Sequence, residues 1–173
     1  MKCLACLTTF CARHQVLVID TKTDTVDTFG YVPAGNEKWS GAVEGPDGLL
    51  YCIPSWATNI LVIDPMNRTL EFFGHGLPDE AFKWNGGVLA PSGIIYGIPY
   101  DAKAVLRIDP TTDTVSTFGS LGSGGGKWAG GVLAPQHVEH WHDARGRIVP
   151  VEEDGRVICD VELAVVHLEA LAV

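Results

Sequence analysis

The sequence predicts an all-β fold built from a four-strand repeat, on three observations. Landmarks recur at one period, short β-rich runs fill each period, and no stretch sustains helical periodicity. Trp39, Trp84 and Trp128 stand 45 and 44 residues apart, and Asp20, Asp64 and Asp109 stand 44 and 45 apart. Phe29-Gly30, Phe73-Gly74 and Phe118-Gly119 keep the same interval. The best-matched pair reads WSGAVEGPDGLLYCIPSWATNILVIDPMNRTLEFFG against WNGGVLAPSGIIYGIPYDAKAVLRIDPTTDTVSTFG. Chains repeated in this way bury each unit against its neighbours.

One unit runs from Trp84 to Gly119. Gly86 to Ala90 is a short apolar run, and Pro91-Ser92-Gly93 makes a turn, with proline fixing φ and glycine closing it. Ile94 to Ile98 is β-branched and aromatic, a polar loop covers Tyr100 to Lys103, and Ala104 to Ile108 is the third run. Asp109-Pro110-Thr111-Thr112 is a second turn, in which the Asp side chain caps the backbone, and Thr114 to Phe118 is the fourth run. Each run is about five residues long, the ordinary strand length. Four antiparallel strands in about 44 residues define the blade of a β-propeller. Blades pack face to face, so both faces of a sheet are buried and strict alternation is blurred. Gly41, Gly86-Gly87 and Gly130-Gly131 fall in the innermost strands, where sheets crowd at the axis.

The motif G-V-x-x-P-x-G-x-x-Y followed by I-D-P-x-T-x-T-V resembles the NHL-type, YVTN-type and virginiamycin-lyase-like propellers, a group with six- or seven-bladed rings. The resemblance covers residues 15 to 135 and concerns blades rather than an activity. The Gly-His and Trp-Asp signatures of WD-type propellers are absent. Three segments follow: 1–14, with no assigned role; the blades, 15–135; and a divergent acidic tail, 136–173. Residues 16–30 supply two strands of a blade, 39–74 and 84–119 two whole blades, and 128–134 the first strand of another. Closed propellers typically use four to eight blades, so this ring is incomplete. Three explanations are open: a truncated piece of a longer propeller, a homo-oligomer whose copies complete one another, or an open stack capped by the tail.

In the tail the repeat gives way to QHVEHWHDARGRIVPVEEDG. Eight acids against three arginines give it a net charge of −5. Arg147 to Val151 and Arg156 to Val161 suit a hairpin about Glu153-Asp154-Gly155, and Leu163 to Val173 suits a helix or a strand.

The 173 residues carry 46% hydrophobic and 19% charged residues, with 20 glycines and 10 prolines, as a turn-rich β fold requires. A net charge of −9 without a basic stripe argues against a nucleic-acid partner and against anionic membranes. The five cysteines are odd in number and bunched at the start, unlike a secreted disulfide framework. Cys3, Cys6, Cys11 and His14 offer zinc-type donors but lack the usual second pair a dozen or more residues on. Lys2 and the apolar run Leu4 to Ala12 resemble a short signal-peptide core, interrupted by Thr8 and Thr9. The reading is a soluble chain that leans cytoplasmic; Asn67-Arg68-Thr69 is a glycosylation sequon only on a secretory route.

Candidate sites are set against structural roles. Lys38-Trp39, Lys83-Trp84 and Lys127-Trp128 recur at the entrance to each innermost strand. There they would hold an anionic or aromatic ligand near the channel mouth, or else serve as framework, with Trp packed between blades and Lys solvated at the rim. Glu44 stands where Leu89 and Leu133 stand in the other repeats. Glu44-Gly45-Pro46 with Leu50-Tyr51 resembles the surroundings of a metal-binding Glu in gluconolactonase-like propellers. That resemblance implies calcium or zinc at the axis, with Asn85 as a second oxygen donor. His137, His140, His142 and Asp143 make a second metal candidate or a solvated loop. Gly122 to Gly126 reads as a linker, because no helix follows to complete a phosphate cradle. P-loop, G-x-S-x-G and H-E-x-x-H motifs are absent. The function expected is a non-catalytic scaffold presenting loops to a protein or small-molecule ligand, without a cofactor. The alternatives are a metal-dependent lactonase- or lyase-like enzyme and a non-functional gene fragment.

Overall fold

The computed structural model describes residues 2–5, 14–33, 35, 38–133, 141–142, 148–149 and 164–166. They form β1 (Lys2–Ala5), β2 (Val16–Asp20), β3 (Thr25–Phe29), β4 (Trp39–Glu44), β5 (Leu50–Pro54), β6 (Ile60–Asp64) and β7 (Thr69–Phe73). β8 (Trp84–Leu89), β9 (Ile95–Pro99), β10 (Val105–Asp109), β11 (Thr114–Phe118) and β12 (Gly131–Leu133) follow. β13 (Trp141–His142), β14 (Ile148–Val149) and β15 (Ala164–Val166) complete the order. The described residues contain no helix.

Two four-stranded antiparallel sheets, β4-β5-β6-β7 and β8-β9-β10-β11, are the two whole blades the repeat predicts. Residues 16–30 give β2 and β3, to which Lys2–Ala5 adds a third antiparallel strand with Lys2 opposite Asp20. At the other end β12 pairs in parallel with β15, and β13 pairs with β14. Thus part of Leu163–Val173 is strand, and Ile148–Val149 is paired with Trp141–His142. The turn expected at Glu153–Gly155, together with Arg156–Val161, Cys6, Cys11, His137, His140 and Asp143, lies outside the described residues.

Local chemistry sets the strand ends. The β6–β7 hairpin is closed by Asp64, whose Oδ1 accepts the amides of Met66 and Asn67, both at 2.8 Å. Asp20 accepts the Lys22 amide at 2.9 Å and Asp109 that of Thr111 at 3.1 Å, so one turn is built three times. Four residues after each Asp, Asp24, Arg68 and Asp113 take left-handed φ values of 51°, 58° and 50°, which bend the turn into the next strand.

Packing follows from the double-sided blade. Alternate residues of β6 enter different cores. Leu61 and Ile63 join Val16, Phe29, Trp39 and Cys52 between the partial first blade and the first whole one. Ile60 and Val62 join Tyr51, Ile53, Trp84, Ile95, Leu106 and Ile108 between the two whole blades. An aliphatic side chain this deeply buried contributes about 1.5–3 kcal/mol, so the blade-to-blade faces carry the fold.

The inner strands meet at their backbones. β4 and β8 each carry a bulge, after Trp39 and after Trp84, and the bulges hold Gly41 and Gly86 at φ of 81° and 70°. A Cβ on Gly41 would lie 3.2 Å from Gly86 Cα, and one on Gly86 3.5 Å from Gly130 Cα. Gly41→Ala therefore meets both a left-handed backbone and a rigid neighbour. Gly48 has nearly the same φ, 79°, with nothing within 4 Å of a Cβ. Chemical denaturation of both variants should show a loss of roughly 1–2 kcal/mol for Gly48→Ala and a larger loss for Gly41→Ala. Equal losses would mean that the inner strands are not in close contact.

Candidate functional site

The antiparallel register places Trp39 opposite Pro54 and Trp84 opposite Pro99. The loops after β5 and β9 therefore lie at the same end as the segments entering β4 and β8. At this end each Lys-Trp pair sits where one blade hands over to the next.

Lys83 departs from the solvated rim position expected of it. It is only 1% exposed, and its ammonium donates to Ser55 O at 2.9 Å and Glu80 O at 2.8 Å. Its own amide also reaches Ser55 O, at 3.0 Å, while its carbonyl accepts the amides of Tyr100 and Ala102. Lys127 repeats the arrangement one blade on: its amide donates to Tyr100 O, and its Nζ to Asp101 O and Gly124 O. Each lysine thus clasps the loop of the preceding blade to the segment that leads into its own. Lys38 accepts the amides of Ser55, Trp56 and Ala57 on its carbonyl, and its Nζ lies 5.6 Å from the Trp39 ring centroid.

The tryptophans are pinned as well. Trp39 Nε1 donates to Asn59 O at 3.0 Å, and Trp84 Nε1 to Ala104 O at 2.9 Å, so both rings are buried with their polar atom satisfied. Trp128 is half-buried and precedes β12. The six residues Lys38, Trp39, Lys83, Trp84, Lys127 and Trp128 are spread along successive blades, one pair to each, rather than gathered in one pocket.

Sequence reasoning passed over the side chains that are exposed at this end. Trp56 and Phe82 are each 41% exposed and meet edge to face with centroids 5.2 Å apart. Tyr100, from the next blade, lies 6.4 Å from Phe82. Phe82 holds a φ of 52°, whereas its repeat counterpart is Gly126, at 64°. A bulky residue in this region is strained, and such strain gathers at functional sites. The signal was present in the repeat: a phenylalanine stands where the next unit has glycine.

The metal donors implied by the gluconolactonase-like resemblance do not fit together. Glu44 ends β4 and is exposed, while Asn85 is the second residue of β8. Glu44 aligns with Leu89, so the two donors are four residues apart along the inner strands, about 13 Å. Asn85 Oδ1 already accepts the Ser40 hydroxyl at 2.8 Å. Tyr51 of the same motif donates to Asp47 at 2.8 Å, and burial, then that hydrogen bond, raises its phenol well above its usual range. Among the described residues, no three His, Cys, Asp or Glu side chains gather to hold a metal ion.

Burial pushes the Lys83 ammonium down to about 8, against the attraction of Asp79 and Glu80. A lysine that releases its proton more readily when folded destabilises the fold while charged. The unfolded chain binds that proton more tightly between about 8 and the ordinary lysine value, so unfolding free energy rises with pH across that window. In Lys83→Met this rise should flatten. At neutral pH the variant should lose roughly 1–3 kcal/mol, because Glu80 O loses its donor and Ser55 O keeps only the amide of residue 83. Urea titrations between pH 7 and 10 would measure both. An unchanged pH slope in the variant would remove Lys83 as its source.

The sheet order, the register and the repeat make this chain a β-propeller protein of four-stranded blades. No protein-family model and no curated protein matches it. Among solved structures it is similar to a catalytically inactive virginiamycin B lyase from Staphylococcus aureus with quinupristin. That match has 16% identity and a TM-score of 0.49, over 61% of this chain and 34% of the lyase. It is similar to Kuenenia stuttgartiensis hydrazine synthase at 20% identity and TM-score 0.46, over 60% of this chain and 29% of that one. A putative 6-phosphogluconolactonase from Bacteroides fragilis matches at 18% identity and TM-score 0.43, over 60% and 32%. The chain spans about a third of the length of these structures.

Proposed function

We propose that this chain is a non-catalytic binding propeller that presents the strand-entrance end of its blades to a ligand. The observation that carries this reading is the row of exposed Trp56 and Phe82 with half-buried Tyr100 beside them, which spans two blades and includes a phenylalanine in a left-handed backbone. Gly126, at the same place before the next blade, takes this backbone without strain. Holding phenylalanine instead costs about 1–3 kcal/mol, and what it adds is an exposed ring. The lysine clasps support the same reading, since they fix the loops that carry the rings, and rigid loops lose less entropy on binding.

The test is an amide NMR titration with a panel of small aromatic, carbohydrate and cationic compounds, and separately with calcium and zinc. Shifts should fall on Ser55–Asn59, Gly74–Lys83 and Tyr100–Ala104. Phe82→Gly should raise the melting temperature, through roughly 1 kcal/mol of relieved strain, while weakening the response. Shifts confined to Glu44 and Gly45 on adding calcium or zinc would contradict the reading and favour a metal-dependent enzyme.

A further inference from the structure

The two whole blades differ where a side chain covers their tryptophan. In the first, Phe72 of β7 stands opposite Leu61, and its ring packs against Trp39 with centroids 6.1 Å apart. The repeat counterpart in the second blade is Thr117 of β11, which stands opposite Leu106. Threonine is too short to replace a phenyl ring, and Thr117 is exposed. The space left is a cleft of about 380 Å³, whose walls include Trp84, Ala104, Val115, Thr117, Leu77 and Pro78. This lies within the range of small-molecule sites, about 300–1,000 Å³, and the lining is largely apolar, as such sites are.

We infer that this cleft binds a small molecule through a neutral, flat aromatic ring. The chain itself shows the fit: one blade earlier the same position is filled by the phenyl ring of Phe72. Glu80 and Lys103 both line the cleft with opposite charge, so the polar lining favours neither an anion nor a cation. The ammonium of Lys83, also in the lining, is committed to Ser55 O and Glu80 O. Trp84 supplies a ring for the edge or face contacts that aromatic pairs prefer. The inference rests on the binding reading above and names a ligand class for the same end of the blades.

The probe is p-cresol, with cyclohexanol as the non-aromatic control, followed through the Trp84 Nε1 proton and the amides of Ala104, Val115 and Thr117. p-Cresol should shift these signals saturably, and cyclohexanol at least tenfold more weakly. Thr117→Phe should restore the internal cover, raise the melting temperature and weaken p-cresol binding at least tenfold. Ala104→Leu narrows the cleft from another wall, and serves if Thr117→Phe does not fold. p-Cresol binding unchanged in the folded variant, or equal binding of cyclohexanol, overturns the inference. Shifts limited to Trp56, Phe82 and Tyr100 overturn the cleft and leave the binding reading standing. If p-cresol shifts nothing while other compounds of the panel shift the loops, the cleft again fails alone.

Discussion

Backbone meets backbone where the inner strands of successive blades converge, and the rest of the molecule is arranged around that contact. Gly41 and Gly86 turn to positive φ at matching bulges, and no Cβ stands between them or between Gly86 and Gly130. The Gly130 amide donates to Asn85 O at 3.1 Å across the same junction. This approach lets the wide faces of neighbouring sheets close over Ile53, Ile60, Ile95 and Leu106 without a void at the narrow end. The interval of 44 or 45 residues is the length of chain needed to lay down one blade and bring the next glycine into place.

At the strand-entrance end the junctions between blades are polar. Connecting segments leave backbone carbonyls there that need donors, and the lysine clasps supply them. A charge-assisted donor buried among carbonyls is a costly choice for stability alone, because burial also penalises the charge. The compensation is a fixed loop geometry at the two junctions that Lys83 and Lys127 close. The clasps and the aromatic row are adjacent in the chain: Ser55 anchors the clasp and is followed by Trp56, and Lys83 follows Phe82.

Strands and Asp-led turns were legible in the sequence because each has a local cause: β-branched runs, a capping carboxylate, a fixed proline φ. The first strand of each blade begins earlier than its apolar run suggests, at Trp39 and Trp84, since a bulge accommodates the glycines that seemed to limit it. Burial of Lys83 was not legible, for the ordinary fate of lysine is solvent and its acceptors are carbonyls, which every residue has. The separation of Glu44 from Asn85 could have been counted from the repeat. Phe82 against Gly126 and Phe72 against Thr117 were visible as letters, but their meaning needs the blade: one marks strain, the other an uncovered ring.

Glycine contacts, buried faces and clasps together bind adjacent blades into one cooperative unit. Native-state hydrogen exchange tests it most directly, by following the amides of β5 and β6 against those of β9 and β10 as denaturant is raised. The slowest amides of both blades should converge on one opening free energy and one denaturant dependence. Two separate values, with one blade exchanging through an opening that leaves the other protected, would contradict it.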